Sequence, residues 1–66
     1  GTYVPLYDYT LDEKNQATIT KYNGNSWSVN IPKEIDGYTV VAIGNRAFVH
    51  KSVGYVSIPD TVKIIQ

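Results

Sequence analysis

Val29-Asn30-Ile31-Pro32 is repeated as Val56-Ser57-Ile58-Pro59, so the pattern V-x-I-P occurs twice. We call the separation along the chain from Pro32 to Pro59 the long spacing. A second pair of similar segments is Val41-Ala42-Ile43 and Lys63-Ile64-Ile65. We call the separation from Ile43 to Ile65 the short spacing. In V-x-I-P two branched side chains share one face of a short strand, and proline, which has no backbone N–H, ends that strand. We therefore expect successive copies to stack and to bury one common apolar stripe.

The long spacing exceeds the short one by five residues, which we assign to an insertion in the first copy at 36–40. It contains Asp36-Gly37, and this dipeptide favours a tight turn because both residues tolerate a positive φ. Without the insertion the unit is about 22 residues long, within the range of leucine-rich repeats. Ala47 and Phe48 are expected to fill the inside of the coil. Residues 45–50 can hold at most one helical turn.

Residues 7–24 predict an N-terminal β-hairpin. Two β-rich runs, 7–11 and 17–22, flank the all-polar segment 12–16. Valine and isoleucine far outnumber leucine, and the chain has six tyrosines, a composition that favours sheet over helix. The predicted fold class is therefore mainly β, with a hairpin in front of the stacked repeats.

The pattern I-P-x-x-I-D-G-Y-x-V-x-x-I-G-x-x-A-F resembles the BspA-type bacterial leucine-rich repeat, and its matches are Ile31-Pro32, Ile35-Asp36-Gly37-Tyr38, Val40, Ile43-Gly44 and Ala47-Phe48. The resemblance implies one domain over residues 1–66, with a capping hairpin at 7–24, a first repeat at 27–54 and the start of a second at 55–66. Gln66 stands where the second repeat should show its glycine. We therefore expect the chain to be a fragment of a longer solenoid.

Composition and motifs argue against several classes of function. Six Lys and Arg balance six Asp and Glu, which leaves no electrostatic footprint for nucleic acid. The chain has no Cys and one His, so it offers neither a disulfide nor a His/Cys zinc site. His50 and Ser52 would point apart on extended backbone, and the acid pairs Asp12/Glu13 and Glu34/Asp36 lie in predicted turns. We expect no enzyme, no catalytic residue, no cofactor and no metal.

Aromatic side chains are the remaining candidates for binding, since Tyr and Trp dominate contact hot spots and also stack on sugars. We expect Tyr9, Tyr22 and Trp27 to cover the small core and the hairpin cap. Tyr38, beside the inserted turn, and Tyr55, out of phase with the apolar residues of its strand, are the two candidate partner-binding residues.

The resemblance implies recognition rather than catalysis, by an adhesion or protein-interaction module of an extracellular or cell-surface bacterial protein that binds host or neighbouring-cell proteins. Glycan binding by exposed aromatics and a purely structural cap stay open as alternatives. No export signal opens the chain, and its longest aliphatic run, 40–43, is far too short for membrane insertion. An apolar, open edge is expected at Val62, Ile64 and Ile65, through which the chain can self-associate.

Overall fold

The computed structural model describes residues 4–65, so the predicted role of Gln66 lies outside the described residues. Within this range every regular element is a strand, and the seven strands in chain order are β1 (Tyr7–Leu11), β2 (Ala17–Tyr22), β3 (Ser28–Asn30), β4 (Glu34–Ile35), β5 (Tyr38–Ile43), β6 (Tyr55–Ser57) and β7 (Ile64–Ile65). The predicted mainly-β fold class is confirmed.

Strands β1 and β2 form the predicted antiparallel hairpin. Its loop is held by the Asp12 side chain, whose Oδ1 accepts hydrogen bonds from the backbone N–H groups of Lys14 and Gln16, each at 2.9 Å. Asn15 sits in the left-handed region at φ 58°, which asparagine tolerates well. A register shift after Asp8 interrupts the simple alternation along β1.

A ladder of parallel strands runs from the hairpin to the last described residues. Strand β2 pairs with β5, and β5 pairs with β7, so that Ile19 lies opposite Ile43 and Ile43 lies opposite Ile65. The step from Ile43 to Ile65 is the short spacing read from the sequence, and the structure confirms it as strand pairing. The second strand of the hairpin thus serves as the first layer of this ladder.

A second parallel ladder joins β3 to β6. Val29 lies opposite Val56, and Asn30 lies opposite Ser57, which confirms the long spacing of the V-x-I-P pattern. The backbone N–H of Ile31 continues the ladder with a 2.9 Å hydrogen bond to the carbonyl of Ser57. Both repeats predicted from the sequence are therefore repeats of strand pairing.

The extra five residues of the first copy belong to a small hairpin formed by β4 and β5. Ile35 of β4 lies opposite Tyr38 of β5, and the two residues between them have positive φ, 53° at Asp36 and 86° at Gly37. Two positive φ values characterise the type I′ turn, whose twist suits a two-residue β-hairpin. The predicted turn is confirmed, but the predicted insertion at 36–40 left out β4, because a two-residue strand shows no periodicity.

The core lies between the two ladders and consists of buried Tyr7, Ala17, Ile19, Tyr22, Val29, Ile31, Val40, Ala42, Ile43 and Ala47. Ala47 and the half-buried Phe48 fill the inside of the coil as predicted. Residues 45–50 form successive turns rather than a helix, with an N–H to C=O bond of 3.2 Å from Ala47 to Gly44 and another from Val49 to Arg46.

The larger sheet is curled, and this brings its two ends together. The strand order is β1-β2-β5-β4, with β7 also beside β5, so β1 and β4 are opposite edges. Nevertheless the Tyr9 hydroxyl on β1 donates a 2.8 Å hydrogen bond to the Asp36 carboxylate at the end of β4. The cap hairpin and the inserted hairpin are therefore in direct contact.

Candidate functional site

The outer face of the β3–β6 ladder carries the first candidate residue, Tyr55. Its side chain is 53% exposed, and it lies opposite the exposed Ser28. Side chains alternate along a strand, so Val29 and Val56 face the core while Tyr55 faces solvent. An exposed ring on a short, paired strand is a rigid, amphipathic contact group of the kind that interfaces use.

Trp27 is exposed beside Tyr55, and the prediction that it covers the core is wrong. Its side chain is 65% exposed, because it precedes the strand and its ring lies over Gly54. A Cβ atom on Gly54 would overlap the indole, so any other residue there would displace the ring. The Trp27 carbonyl accepts hydrogen bonds from Gly54 N–H at 2.8 Å and from Tyr55 N–H at 3.2 Å.

A signal for this arrangement was present in the sequence. The distance along the chain from Trp27 to Gly54 equals the long spacing of the V-x-I-P ladder, so the two occupy matching places in successive copies. A glycine opposite a tryptophan indicates a ring resting on backbone. This placement makes Trp27 a candidate contact residue that sequence reasoning missed.

The second candidate residue, Tyr38, is half-buried at the start of β5. Its ring centroid lies 6.1 Å from that of Tyr9, at an interplanar angle of 47°. Tyr38 belongs to the larger sheet and Tyr55 to the β3–β6 ladder, so the fold does not place the two candidates on one sheet. Part of Tyr38 is therefore engaged in holding the cap against the inserted hairpin.

Of the three aromatics predicted to cover the core and the cap, the remaining two are placed as predicted, with Tyr22 buried and Tyr9 half-buried. Tyr22 lies between Tyr7 and Phe48, with centroid distances of 5.5 and 5.7 Å. Burial, followed by the neighbouring Tyr22, raises the pKa of Tyr7 above the ordinary 10.0. The hydrogen bond to Asp36 is the main cause that raises the pKa of Tyr9, and it keeps that hydroxyl a donor.

The two residues weighed for nucleophilic catalysis, His50 and Ser52, are both exposed. His50 is exposed in the turn after Phe48, with a positive φ of 61°. Over residues 4–65, no three His, Cys, Asp or Glu residues are grouped in a way that could hold a metal ion. The same range contains no helix long and apolar enough to cross a membrane.

An apolar hollow of about 470 Å³ opens at the end of the ladders where β6 and β7 lie, and Ile43, Phe48, Val56, Ile58 and Ile65 are among the residues that line it. Ile64 and Ile65 of β7 are exposed, as is Ile58 just after β6. This end of the molecule presents apolar side chains together with unpaired strand edges. Such a surface favours association with another polypeptide.

Comparison with known proteins gives two solved structures of the same architecture. A leucine rich cell surface protein from Faecalibacterium prausnitzii A2-165 is 36% identical, with a TM-score of 0.82 over 98% of this chain and 19% of its own. A leucine rich repeat protein of T. pallidum is 21% identical, with a TM-score of 0.70 over 97% of this chain and 42% of its own, and shows the fold alone.

The chain thus spans about a fifth of the first structure and less than half of the second. No protein-family model matches it, and neither does any curated protein. The similarity extends over nearly the whole chain, and both strand ladders repeat at the spacings found in the sequence. The chain belongs to the leucine-rich-repeat family.

Proposed function

We propose that the chain is the capped end of a BspA-type leucine-rich-repeat protein. In this proposal residues 1–66 are one domain, in which 7–24 cap the solenoid, 27–54 form the first repeat and 55–66 begin the second. The parallel pairing of β2 with β5 supports it, because it makes the hairpin the first layer of the stack. A hairpin in this position would shield the core at one end of a solenoid.

The proposed function is non-catalytic recognition of proteins on host or neighbouring cells, by an adhesion module at the cell surface or in the extracellular space. The observation that carries it is the outer face of the β3–β6 ladder, where Tyr55 is exposed on paired strands. The F. prausnitzii relative is described as a cell surface protein, which supports the location. A rigid face built from stacked short strands suits the binding of a large partner.

An adhesion assay with beads coated with the chain tests this function. We expect beads to bind cultured epithelial or bacterial cells, binding to fall after protease treatment of the cells, and Tyr55→Ala to weaken it several-fold. Tyr38→Ala should weaken it less, because that ring is half-buried. Binding that survives both substitutions and protease treatment would contradict the proposal.

Glycan binding is the second candidate function, and Trp27 is the specific observation that favours it. The ring lies with one face on Gly54 and is 65% exposed, which is the geometry of a platform for the apolar face of a sugar. This alternative predicts that an oligosaccharide panel shifts the Trp27 fluorescence and that Trp27→Ala abolishes binding while Tyr55→Ala spares part of it. In the adhesion assay, free sugar would then compete with the cells for the chain. Treatment of the cells with glycosidase, rather than with protease, would reduce binding.

A further inference from the structure

A groove lies where the two edges of the curled sheet approach each other. It has a volume of about 670 Å³ and is lined by 5–9, which include most of β1, and by 34–36, which include β4. Within residues 4–65, β1 pairs only with β2, and β4 pairs only with β5. The groove is therefore bordered by two strands that each retain an unpaired side.

Both walls of the groove are fixed by hydrogen bonds. On one side the Asn23 side-chain amide donates to the Pro5 carbonyl and to the Asp8 carboxylate, each at 3.0 Å. Across the groove the Tyr9 hydroxyl donates to Asp36 at 2.8 Å. Because this site is preformed, the protein loses little conformational entropy when a ligand binds.

The charge on the groove is of one sign. Asp8, Glu34 and Asp36 supply three of the six acidic residues of a chain that is neutral overall, and none of the described residues that line the groove is Lys, Arg or His. All three carboxylates are on exposed residues. Acidic walls of this kind attract cationic groups and repel acidic ones.

Apolar groups lie between the carboxylates. The side chain of Leu6 is exposed, and Pro5 and the half-buried Ile35 line the groove with it. The described residues hold no metal-binding group of three side chains, so an organic cation fits these walls better than a metal ion. Lys and Arg combine a long apolar stem with a cationic head, which matches apolar surface flanked by carboxylates.

We propose that this groove binds an extended polypeptide segment of a protein partner, in which Lys or Arg alternate with apolar residues. The segment adds to the free edge of β1 as a further strand, which satisfies backbone groups along that edge. Its apolar side chains lie on Leu6 and Ile35, and its cations face Glu34 and Asp36. The inference rests on the proposed function in taking the ligand to be a protein, but it uses a surface other than that of Tyr55.

The test is fluorescence polarisation of the chain with labelled peptides that alternate lysine with valine or glutamate with valine. The lysine peptide should bind, with an affinity that falls as NaCl is raised, and the glutamate peptide should not. The double variant Glu34→Gln/Asp36→Asn should weaken binding about two- to thirtyfold, as expected for two exposed ion pairs. Asparagine tolerates the left-handed φ of Asp36, and a thermal melt checks that the variant folds.

The matched control is Glu13→Gln/Asp60→Asn, which removes two exposed carboxylates outside the groove and should leave the affinity unchanged. A lysine peptide methylated at alternate backbone nitrogens should bind weakly, because it cannot complete a strand ladder. Equal binding of both peptides, or equal losses in the two double variants, would overturn the proposal. If the lysine peptide fails to bind but cell adhesion persists, only the proposal for the groove is refuted. The proposed adhesion function is tested separately by Tyr55→Ala.

Discussion

Ile19 and Ile65 occupy equivalent places in one row of parallel strands, yet their surroundings are opposite. Ile19 of β2 is 0% exposed, and Ile65 of β7 is 64% exposed, with Ile43 paired between them. The three residues have the same side chain and the same strand geometry. The difference therefore comes from position along the stack, which is covered at the hairpin end and open at the other.

At the covered end, side chains as well as a strand form hydrogen bonds with the backbone. Strand β3 pairs on one side with β6, and its alternate carbonyls point to the other side. The Ser28 carbonyl accepts a hydrogen bond from Ser26 Oγ at 2.9 Å, and the Asn30 carbonyl accepts one from the Tyr7 hydroxyl at 3.4 Å. These two carbonyls thus have partners, which blunts the edge against further pairing.

The largest difference between the two ends should appear in the matched pair Ile19→Ala and Ile65→Ala. Truncation of the fully buried Ile19 leaves a cavity and should lower the free energy of unfolding by about 2–5 kcal/mol. At the exposed Ile65 the same truncation should cost no more than about 0.5 kcal/mol. Urea denaturation followed by circular dichroism measures both, and equal losses would contradict the contrast.

Gly37→Ala tests the inserted hairpin, which contacts the cap through the Tyr9–Asp36 hydrogen bond. Gly37 has a φ of 86°, where a Cβ atom is unfavourable, so the substitution should destabilise the chain by about 1–2 kcal/mol. The space around that position is empty, which leaves backbone strain as the sole cause. Asp36→Asn is the control, since asparagine also tolerates the positive φ of this position and keeps a side-chain oxygen that can accept the Tyr9 hydrogen bond. A loss of stability in Asp36→Asn equal to that in Gly37→Ala would refute this explanation.

Alkaline pH should weaken the covered end through Tyr7 and Tyr9. The pKa of each is raised in the folded chain above 10.0, so their contribution is fully present below about pH 10 and is lost as pH rises through the raised values. We expect the free energy of unfolding to fall as the pH is raised above about 10. Tyr7→Phe and Tyr9→Phe should each reduce that fall in urea titrations, and an unchanged pH dependence in both would contradict the assignment.

Of these changes, the loss of self-association through the open end should alter the stability of the fold least. Light scattering after size exclusion is expected to show a dimer that dissociates on dilution, because Ile58, Ile64 and Ile65 are exposed beside unpaired strand edges. Ile64→Lys should abolish the dimer and change the stability of the monomer by less than about 0.5 kcal/mol. A wild-type chain that stays monomeric at every concentration would refute self-association.

The two ladders were predictable because strand pairing fixes spacing, and spacing is visible in a sequence. The V-x-I-P pattern alone placed Val29 opposite Val56, and the shorter spacing placed Ile43 opposite Ile65. The Asp36-Gly37 turn was equally readable, since few residues tolerate two positive φ values in succession. In each case a local rule determined the structure.

The contacts that define the candidate surfaces were less accessible to sequence reasoning. The bond between Tyr9 and Asp36 depends on the curl of the sheet, which brings two residues far apart in the chain into contact. The exposure of Trp27 depends on a glycine in the matching place of the next copy. The binding roles of Tyr38 and Tyr55 stay predictions, because the fold determines their exposure and not their ligand.

Native-state hydrogen exchange tests the contrast between the two ends most directly. At a concentration where light scattering gives a monomer, paired amides of β2 and β5 should exchange only through global unfolding, and those of β6 and β7 at least about tenfold faster through local opening. The hairpin would then be the stable end of the stack and the last strands its frayed end. Equal protection in all four strands, or slower exchange in β7 than in β2, would contradict a solenoid that is covered at one end and open at the other.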